Sequence, residues 1–467
     1  MTTDTIAAIV TALGNAGIGI IRVSGEKSTD VVDRIYRDGK HRRTLKNFPG
    51  NTIHYGFIYD GEELVDEVMV SIMKSPASFT TEDTVEVNCH GGVLVMNRIL
   101  SLILRNGARL AEPGEFTKRA FLNGRIDLSE AEAVMDVISS QNELALKNSL
   151  RQLEGAVRNI ITDCRKKIIH EIALIESALD DPEHISLEGY PQELGQKLDD
   201  LTGRIERLLA TAEKGKIIKE GIKTVIVGKP NAGKSSLLNR LAGQERAIVT
   251  DIAGTTRDIL EENIRLEGIN LRVIDTAGIR STEDVIEKIG VEKARKYSED
   301  ADLIIYVVDS SVPLDENDNQ IMHMIRNKRC IVLFNKSDLD SRISLEEFRD
   351  RLRESQNVDK PEIRILRTSL RENTGIDEFE CAIRELFFSG KIETGDEVMI
   401  TSLRHRQALE EALISLSQVR ESLLAGMPED FYSIDLMGAY ASLGRITGEE
   451  VEEDLINEIF SEFCMGK

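Results

Sequence analysis

The 467-residue chain has no apolar run near the roughly 20 residues that a bilayer-spanning helix needs, which argues against a membrane protein. Its opening, MTTDTIAAIV, lacks the basic segment of a secretory signal, so a cytoplasmic location is expected. Cysteines are few: Cys89, Cys164, Cys330, Cys381 and Cys464 are scattered and form no C-x-x-C pair, which argues against a disulfide framework and against a structural zinc site. Basic residues are outnumbered, 59 Lys and Arg against 81 Asp and Glu, for a formal charge of −22. Such a chain repels polyanions at long range, so a nucleic-acid partner would require a local basic patch or a helper protein. Internal repeats and low-complexity tracts are also missing.

What is present suffices for several domains, with 41% hydrophobic residues to fill their cores. Residues 1 to about 120 alternate short apolar runs (18–23, 68–73, 84–88) with Gly and Pro, the pattern of an α+β unit. From Leu128 to Leu179 apolar residues keep helical spacing up to Asp180-Asp181-Pro182, which predicts one long helix or two, with another at 194–212. Strand patterns return at 224–227, 271–274, 303–308, 331–334 and 363–366 with helical stretches between them, signalling a parallel α/β sheet. Helical periodicity resumes at 403–424, 434–443 and 451–463. The expected fold is multidomain α/β, with a mostly parallel sheet domain inserted into an α-helical domain.

Gly228-Lys229-Pro230-Asn231-Ala232-Gly233-Lys234-Ser235 fits G-x-x-x-x-G-K-[ST] between a strand and a helical pattern at 236–241, the context a phosphate loop requires. Glycines let backbone N–H groups wrap phosphates, making Asn231, Ala232, Gly233, Lys234, Ser235 and Ser236 candidate nucleotide contacts. Lys234 is suited to the β- and γ-oxygens and Ser235 to magnesium. Asn335-Lys336-Ser337-Asp338 follows the strand at 331–334, at the carboxyl end where open α/β sheets bind ligands. The Asp338 carboxylate can accept from guanine N1–H and the 2-amino group, which adenine cannot supply, so GTP is selected over ATP. Ser369-Leu370, after the next strand, is expected to offer a backbone N–H to the base oxygen. Between the phosphate loop and Asp275, Thr255-Thr256-Arg257-Asp258 reads as a switch segment, with Gly254 before it permitting a sharp bend and Thr256 the candidate for magnesium and γ-phosphate; Thr250, Asp251, Ile252 and Ala253 are further nucleotide candidates.

Asp275-Thr276-Ala277-Gly278 is a γ-phosphate sensor, but Ile279 follows where Ras-like hydrolases carry a water-orienting glutamine. Isoleucine can neither donate nor accept, so another residue must hold the water and some cation must neutralise the growing charge: an arginine such as Arg257 or Arg280, or a metal ion.

The motifs GKPNAGKSS, TDIAGTTRD, DTAGIR and NKSD, with SPASFTTEDTVEVNCHGG, EPGEFTKRAFLNGRIDLSEAEAVMD and a terminal FCMGK, resemble those of the MnmE/TrmE tRNA-modification GTPases over nearly the whole chain. The resemblance implies four parts: a tetrahydrofolate-binding and dimerisation domain at 1–122, helical parts at 123–218 and 389–467, and a G domain at 219–388. It implies a potassium ion held by Asn231, Thr250, Ile252 and Thr255 when two G domains meet, and Glu287 orienting water. It implies that Arg22, Glu82, Arg125 and Lys467 bind a 5-formyl- or methylene-tetrahydrofolate, and that Cys464 takes part in the modification chemistry. The implied assembly is a homodimer that joins an FAD-dependent MnmG/GidA-type protein in a heterotetramer or larger complex, acts on the wobble uridine of certain tRNAs, and leaves FAD to that partner. Arg125 stands where some members carry lysine, and residues 11–17 lack the expected Pro- and Gly-rich loop.

Cys89-His90 reads as structural, since neighbours on a strand face opposite sides. Arg165-Lys166-Lys167 and Arg404-His405-Arg406 read as solvated helix faces before they read as tRNA contacts. Two rivals stand beside the modification enzyme: a regulatory GTPase switch in ribosome assembly or translation, and a folate-dependent transferase regulated by GTP.

Overall fold

The computed structural model describes residues 4–40, 42, 45–244, 261–266, 268–274, 297–326, 328–354, 363–388, 398–464 and 466. The chain divides into two compact units: Met1–Met135 with Gln152–Leu201 and Ala408–Lys467, and Asp136–Arg151 with Thr202–Gln407. Among the described residues no helix is long and apolar enough to cross a membrane.

The first unit opens with β1 (Ile6–Ile9), β2 (Ala16–Ser24), β3 (Tyr36–Asp38), β4 (Thr52–Asp60), β5 (Glu63–Met73), β6 (Thr84–Gly91) and β7 (Arg109–Leu110), in the spatial order β3-β4-β5-β6-β2-β1-β7. Neighbours are antiparallel except β1 and β7. Strand alternation explains one face: Val85, Val87 and Cys89 of β6 are buried, beneath Met96, Ile99 and Ile103 of the helix Val93–Arg105. His90, on the opposite side from Cys89, is exposed and meets Asp66. The Cys89 thiol donates to the Gly19 carbonyl and is pushed up to about 11 by burial, the state of a core residue rather than of a nucleophile. On β4 and β5, Ile53, Tyr55 and Met69 remain exposed, and Tyr55 stands directly opposite Met69.

The periodic stretch expected as one or two helices forms three: Leu128–Ser139, Glu143–Leu153 and Ala156–Asp180. Asn142 accepts from the Ala145 amide and starts the second, and Gly155, at φ 85°, allows the left-handed turn before the third. Hydrophobic spacing runs through both breaks, so periodicity alone did not reveal them. Ala156–Asp180 lies against Glu429–Thr447, burying Ile161, Ile168 and Ile175 on one helix and Leu436, Ala439 and Leu443 on the other.

The basic clusters depart from a solvated face. Arg165 is buried, stacked over the Tyr440 ring at 4.0 Å and paired with Glu449, and His405 is fully buried. Helical geometry turns one residue of each cluster inward, where Arg165 finds an aromatic and an acidic partner.

The second unit contains β8 (Ile222–Val227), β9 (Glu261–Leu266), β10 (Ile269–Ile274), β11 (Leu303–Asp309), β12 (Cys330–Asn335) and β13 (Ile363–Arg367), ordered β13-β12-β11-β8-β10-β9. Only the β9–β10 hairpin is antiparallel. Both faces are covered, which is why β11 reads as a continuous apolar run. Its Ile305 and Val307 meet Leu237, Leu241, Phe379 and Ile383 on one side; Ile304, Tyr306 and Val308 meet Met322, Phe348 and Leu352 on the other. β9 carried no clear strand signal, because Glu261-Glu262-Asn263 interrupts it with polar residues at the sheet edge.

Candidate functional site

Three of the described loops after parallel strands converge at the carboxyl edge of the second unit's sheet. β8 ends in the phosphate loop, and the helix Lys234–Gln244 follows it. Gly228 has φ 149° and Gly233 φ 115°. A Cβ on Gly228 would run into the Val307 carbonyl oxygen, and one on Gly233 into the Asn335 side-chain nitrogen. Both positions need glycine for conformation and for space, and the loop they shape runs into a helix N-terminus, where backbone amides can follow an anion. Asn231, also at positive φ (61°), continues the turn.

Lys234 folds back over the loop, donating to the carbonyls of Gly228 (2.6 Å) and Lys229 (2.8 Å). Burial holds its ammonium below the ordinary lysine range, and no carboxylate among the described residues pairs with it. Among the described residues it is a cation without a counter-charge, which a di- or triphosphate would supply. Ala232 is fully buried, and Ser235 and Ser236 lie in the first turn of the helix.

The second loop follows β12. Asn335 is buried, and its side chain does two jobs: its amide nitrogen donates to the Ala232 carbonyl (2.8 Å) and its oxygen accepts from the Leu370 amide (3.1 Å). It ties the phosphate loop to the loop after β13. Lys336, at φ 63°, reaches Asp309 at the end of β11 (2.6 Å). The Ser369 hydroxyl donates to Asp338 Oδ1 (2.6 Å) and is the leading cause that holds this carboxyl below its usual value of 3.8. Asp338 is therefore a fixed acceptor at any physiological pH, with Oδ2 left to receive a base donor.

The Ser369 amide donates to Thr374 and the Leu370 amide to Asn335, while the Ser369 hydroxyl is the group that reaches Asp338. The remaining nucleotide candidates, Thr250, Asp251, Ile252, Ala253, Gly254, Thr255, Thr256, Asp275, Thr276, Ala277, Gly278 and Glu287, with Arg257 and Arg280, lie outside the described residues.

The first unit gathers a different set. Arg22 on β2 donates to Glu86 (2.8 Å), with its guanidinium 5.5 Å from the rings of both Phe79 and Phe116. Arg125 lies 4.9 Å from the Phe79 ring and donates to the Phe79 carbonyl. Two of the sequence-selected cations therefore share one aromatic ring. Glu82 accepts from Ser24 (2.8 Å) and from Arg119 (3.1 Å), an arginine only 3% exposed that also reaches Asp4 and Glu115. Gly466 sits against Ile9 and Val10, and Ile9 lies opposite Ile21, next in sequence to Arg22, so the tail bearing the exposed Cys464 reaches the strand pair that carries Arg22. Lys467 is outside the described residues.

The residue patterns of both units recur together in known proteins. The chain is 54% identical over 467 residues to the tRNA modification GTPase MnmE of Lachnoclostridium phytofermentans, covering 100% of each. It belongs to the MnmE family of tRNA modification GTPases. The model of the MnmE helical domain matches residues 128–464, and that of the GTP-binding protein TrmE N-terminus matches 5–125. MnmE of Geobacillus kaustophilus is 48% identical over 467 residues (99% of each chain), and that of Enterococcus faecalis 45% over 467 (99% of this chain, 98% of the relative). As an MnmE-family protein the chain binds and hydrolyses GTP.

Sequence reasoning missed Phe79, Arg119, Asp309 and the lock made by Asn335. Phe79 lies within the quoted SPASFTTED motif, but nothing in its spacing shows that two distant arginines will meet it.

Proposed function

We propose that this chain is a cytoplasmic, homodimeric GTPase that, with an FAD-dependent MnmG/GidA-type protein, installs a carboxymethylaminomethyl or aminomethyl group at C5 of the wobble uridine of certain tRNAs. The observation that carries the reading is the coexistence, in a chain matched to the family along its whole length, of a guanine-nucleotide site and a second cationic site around Phe79. Residues 219–388 then form the G domain, 1–122 the folate-binding and dimerisation domain, and 123–218 with 389–467 the helical domain. The exposed Ile53, Tyr55 and Met69 on β4 and β5 support dimerisation, since an apolar sheet face gains by being covered.

In the G domain, the loop amides and Lys234 orient the phosphates, Asp338 reads the base, Ser235 and Thr256 are the magnesium ligands, and Glu287 orients water in place of the glutamine absent at Ile279. A potassium ion bound by Asn231, Thr250, Ile252 and Thr255 would supply the positive charge that an arginine finger gives other GTPases. Arg22 and Arg125, with Lys467, suit the carboxylates of a folate tail, and Glu82, held by Arg119 and Ser24, suits the donor edge of a pterin. Bound there, a 5-formyl- or methylene-tetrahydrofolate would supply the one-carbon unit. Cys464 acts at that site, and FAD belongs to the partner.

Two measurements test the reading. GTP turnover in potassium is expected to exceed that in sodium at equal ionic strength by about tenfold or more, and Asn231→Ala should abolish the difference; equal rates in both salts would remove the potassium account. Mass spectrometry of tRNA from cells carrying Cys464→Ser should show unmodified wobble uridine with GTP turnover retained. Full modification in that strain would favour a switch without base chemistry.

A further inference from the structure

The second residue of the phosphate loop is anchored in a way the GTPase motif does not require. The Lys229 ammonium lies 2.7 Å from Asp318 and 3.2 Å from Asp315, and donates to the Pro313 carbonyl at 3.1 Å. Asp318 is 1% exposed and fully engaged: it also accepts from the Tyr306 hydroxyl (2.7 Å) and the Asp315 amide (2.9 Å), the latter within the capping box that starts the helix Glu316–Met324. The Lys229 side chain is itself only 12% exposed. Burial opposes its charge, and the two aspartates outweigh burial and keep the ammonium above the ordinary lysine range. A charge buried with several partners in fixed positions acts as a rigid tie.

The other end of the tie is the loop itself. The Lys229 carbonyl accepts from Lys234 (2.8 Å) and from the Ala232 amide (3.3 Å). We propose that the Lys229–Asp318 pair is a strut that holds the phosphate loop in its receiving shape, making both residues positioning residues for the nucleotide. The strut spans from β8 to the segment after β11, anchoring a loop whose other tie is Asn335. Without it, the Lys229 carbonyl is free to rotate, Lys234 loses one of its two rests, and part of the nucleotide's binding energy goes into ordering the loop.

The test uses the full chain and GDP. Lys229→Met and Asp318→Asn are each expected to weaken GDP binding about tenfold and speed its release, with the double variant no worse than the poorer single one, since both changes remove one interaction. Lys229→Arg, whose charge can still reach Asp318, recovers most of the affinity. The second readout is the rise in melting temperature caused by saturating GDP, which tracks affinity for the folded state. A merely structural ion pair would lower the nucleotide-free melting temperature and leave the GDP-induced rise intact; a strut shrinks that rise. GDP affinity within twofold of the native protein in Lys229→Met, or equal loss in Lys229→Arg and Lys229→Met, would overturn the proposal. If Asp318→Asn does not fold, the Lys229→Met and Lys229→Arg pair decides alone.

Discussion

Asp338→Asn is expected to lower GTP affinity about a thousandfold and to let xanthosine triphosphate bind in its place. The reasoning is donor-acceptor matching. Guanine presents N1–H and a 2-amino group, both donors, to a carboxylate that only accepts, whereas an asparagine amide sets its own donors against one of them. Xanthine has an oxygen at C2 and restores the match. The Ser369 hydroxyl, 2.6 Å from Asp338, keeps the carboxyl below 3.8, so the sign of the pH effect is fixed: base recognition is present throughout the neutral range and is lost only as pH falls through that depressed value. Competition between GTP and xanthosine triphosphate for the variant, followed by equilibrium titration, checks the expectation. A variant that still prefers GTP would mean that Asp338 does not read the base.

Asn335→Ala carries the second large effect. Its side chain satisfies the Ala232 carbonyl and the Leu370 amide at once, and both partners belong to loops proposed to hold the nucleotide. Stranding a buried polar group costs about 1–3 kcal/mol, so losing both bonds amounts to about 3 kcal/mol, or roughly a hundredfold in nucleotide affinity. The Asn335→Asp change keeps the acceptor for Leu370 but sets an acceptor and a buried negative charge against the Ala232 carbonyl, and should bind no better than alanine. Titration of GDP into the three proteins orders them; an Asn335→Ala variant that binds GDP as tightly as the native protein would place the lock elsewhere.

How much of this was legible in the sequence depends on whether the chemistry was local. The phosphate loop and the strand before it were readable, because Gly228, Gly233, Lys234 and Ser235 must stand at fixed spacing on one turn. The five parallel strands of the second sheet were readable for a related reason: burial on both faces makes β11 and β12 short apolar runs, and apolar residues still predominate in the more exposed β13. What escaped was non-local. Arg22 and Arg125 meet at Phe79 across about a hundred residues of chain, and Lys229 meets Asp318 across almost as many. The residue types were visible; their pairing was not. The inward turn of Arg165 and His405 escaped for another reason, since a run of basic letters carries no record of which residue faces Tyr440 or the core.

The helical segment Asp136–Arg151 stands outside the sequence span of the sheet whose compact unit it joins. Asn148 donates to the Met399 carbonyl and accepts from the Met399 amide, and Ala145 is buried with Ile217, Ile218 and Ile222. Cutting the chain at the borders of its nucleotide motifs would strip away this clasp and bare a greasy flank, so a truncated hydrolase behaves as native only when the earlier helix is supplied with it, by fusion or as an added peptide.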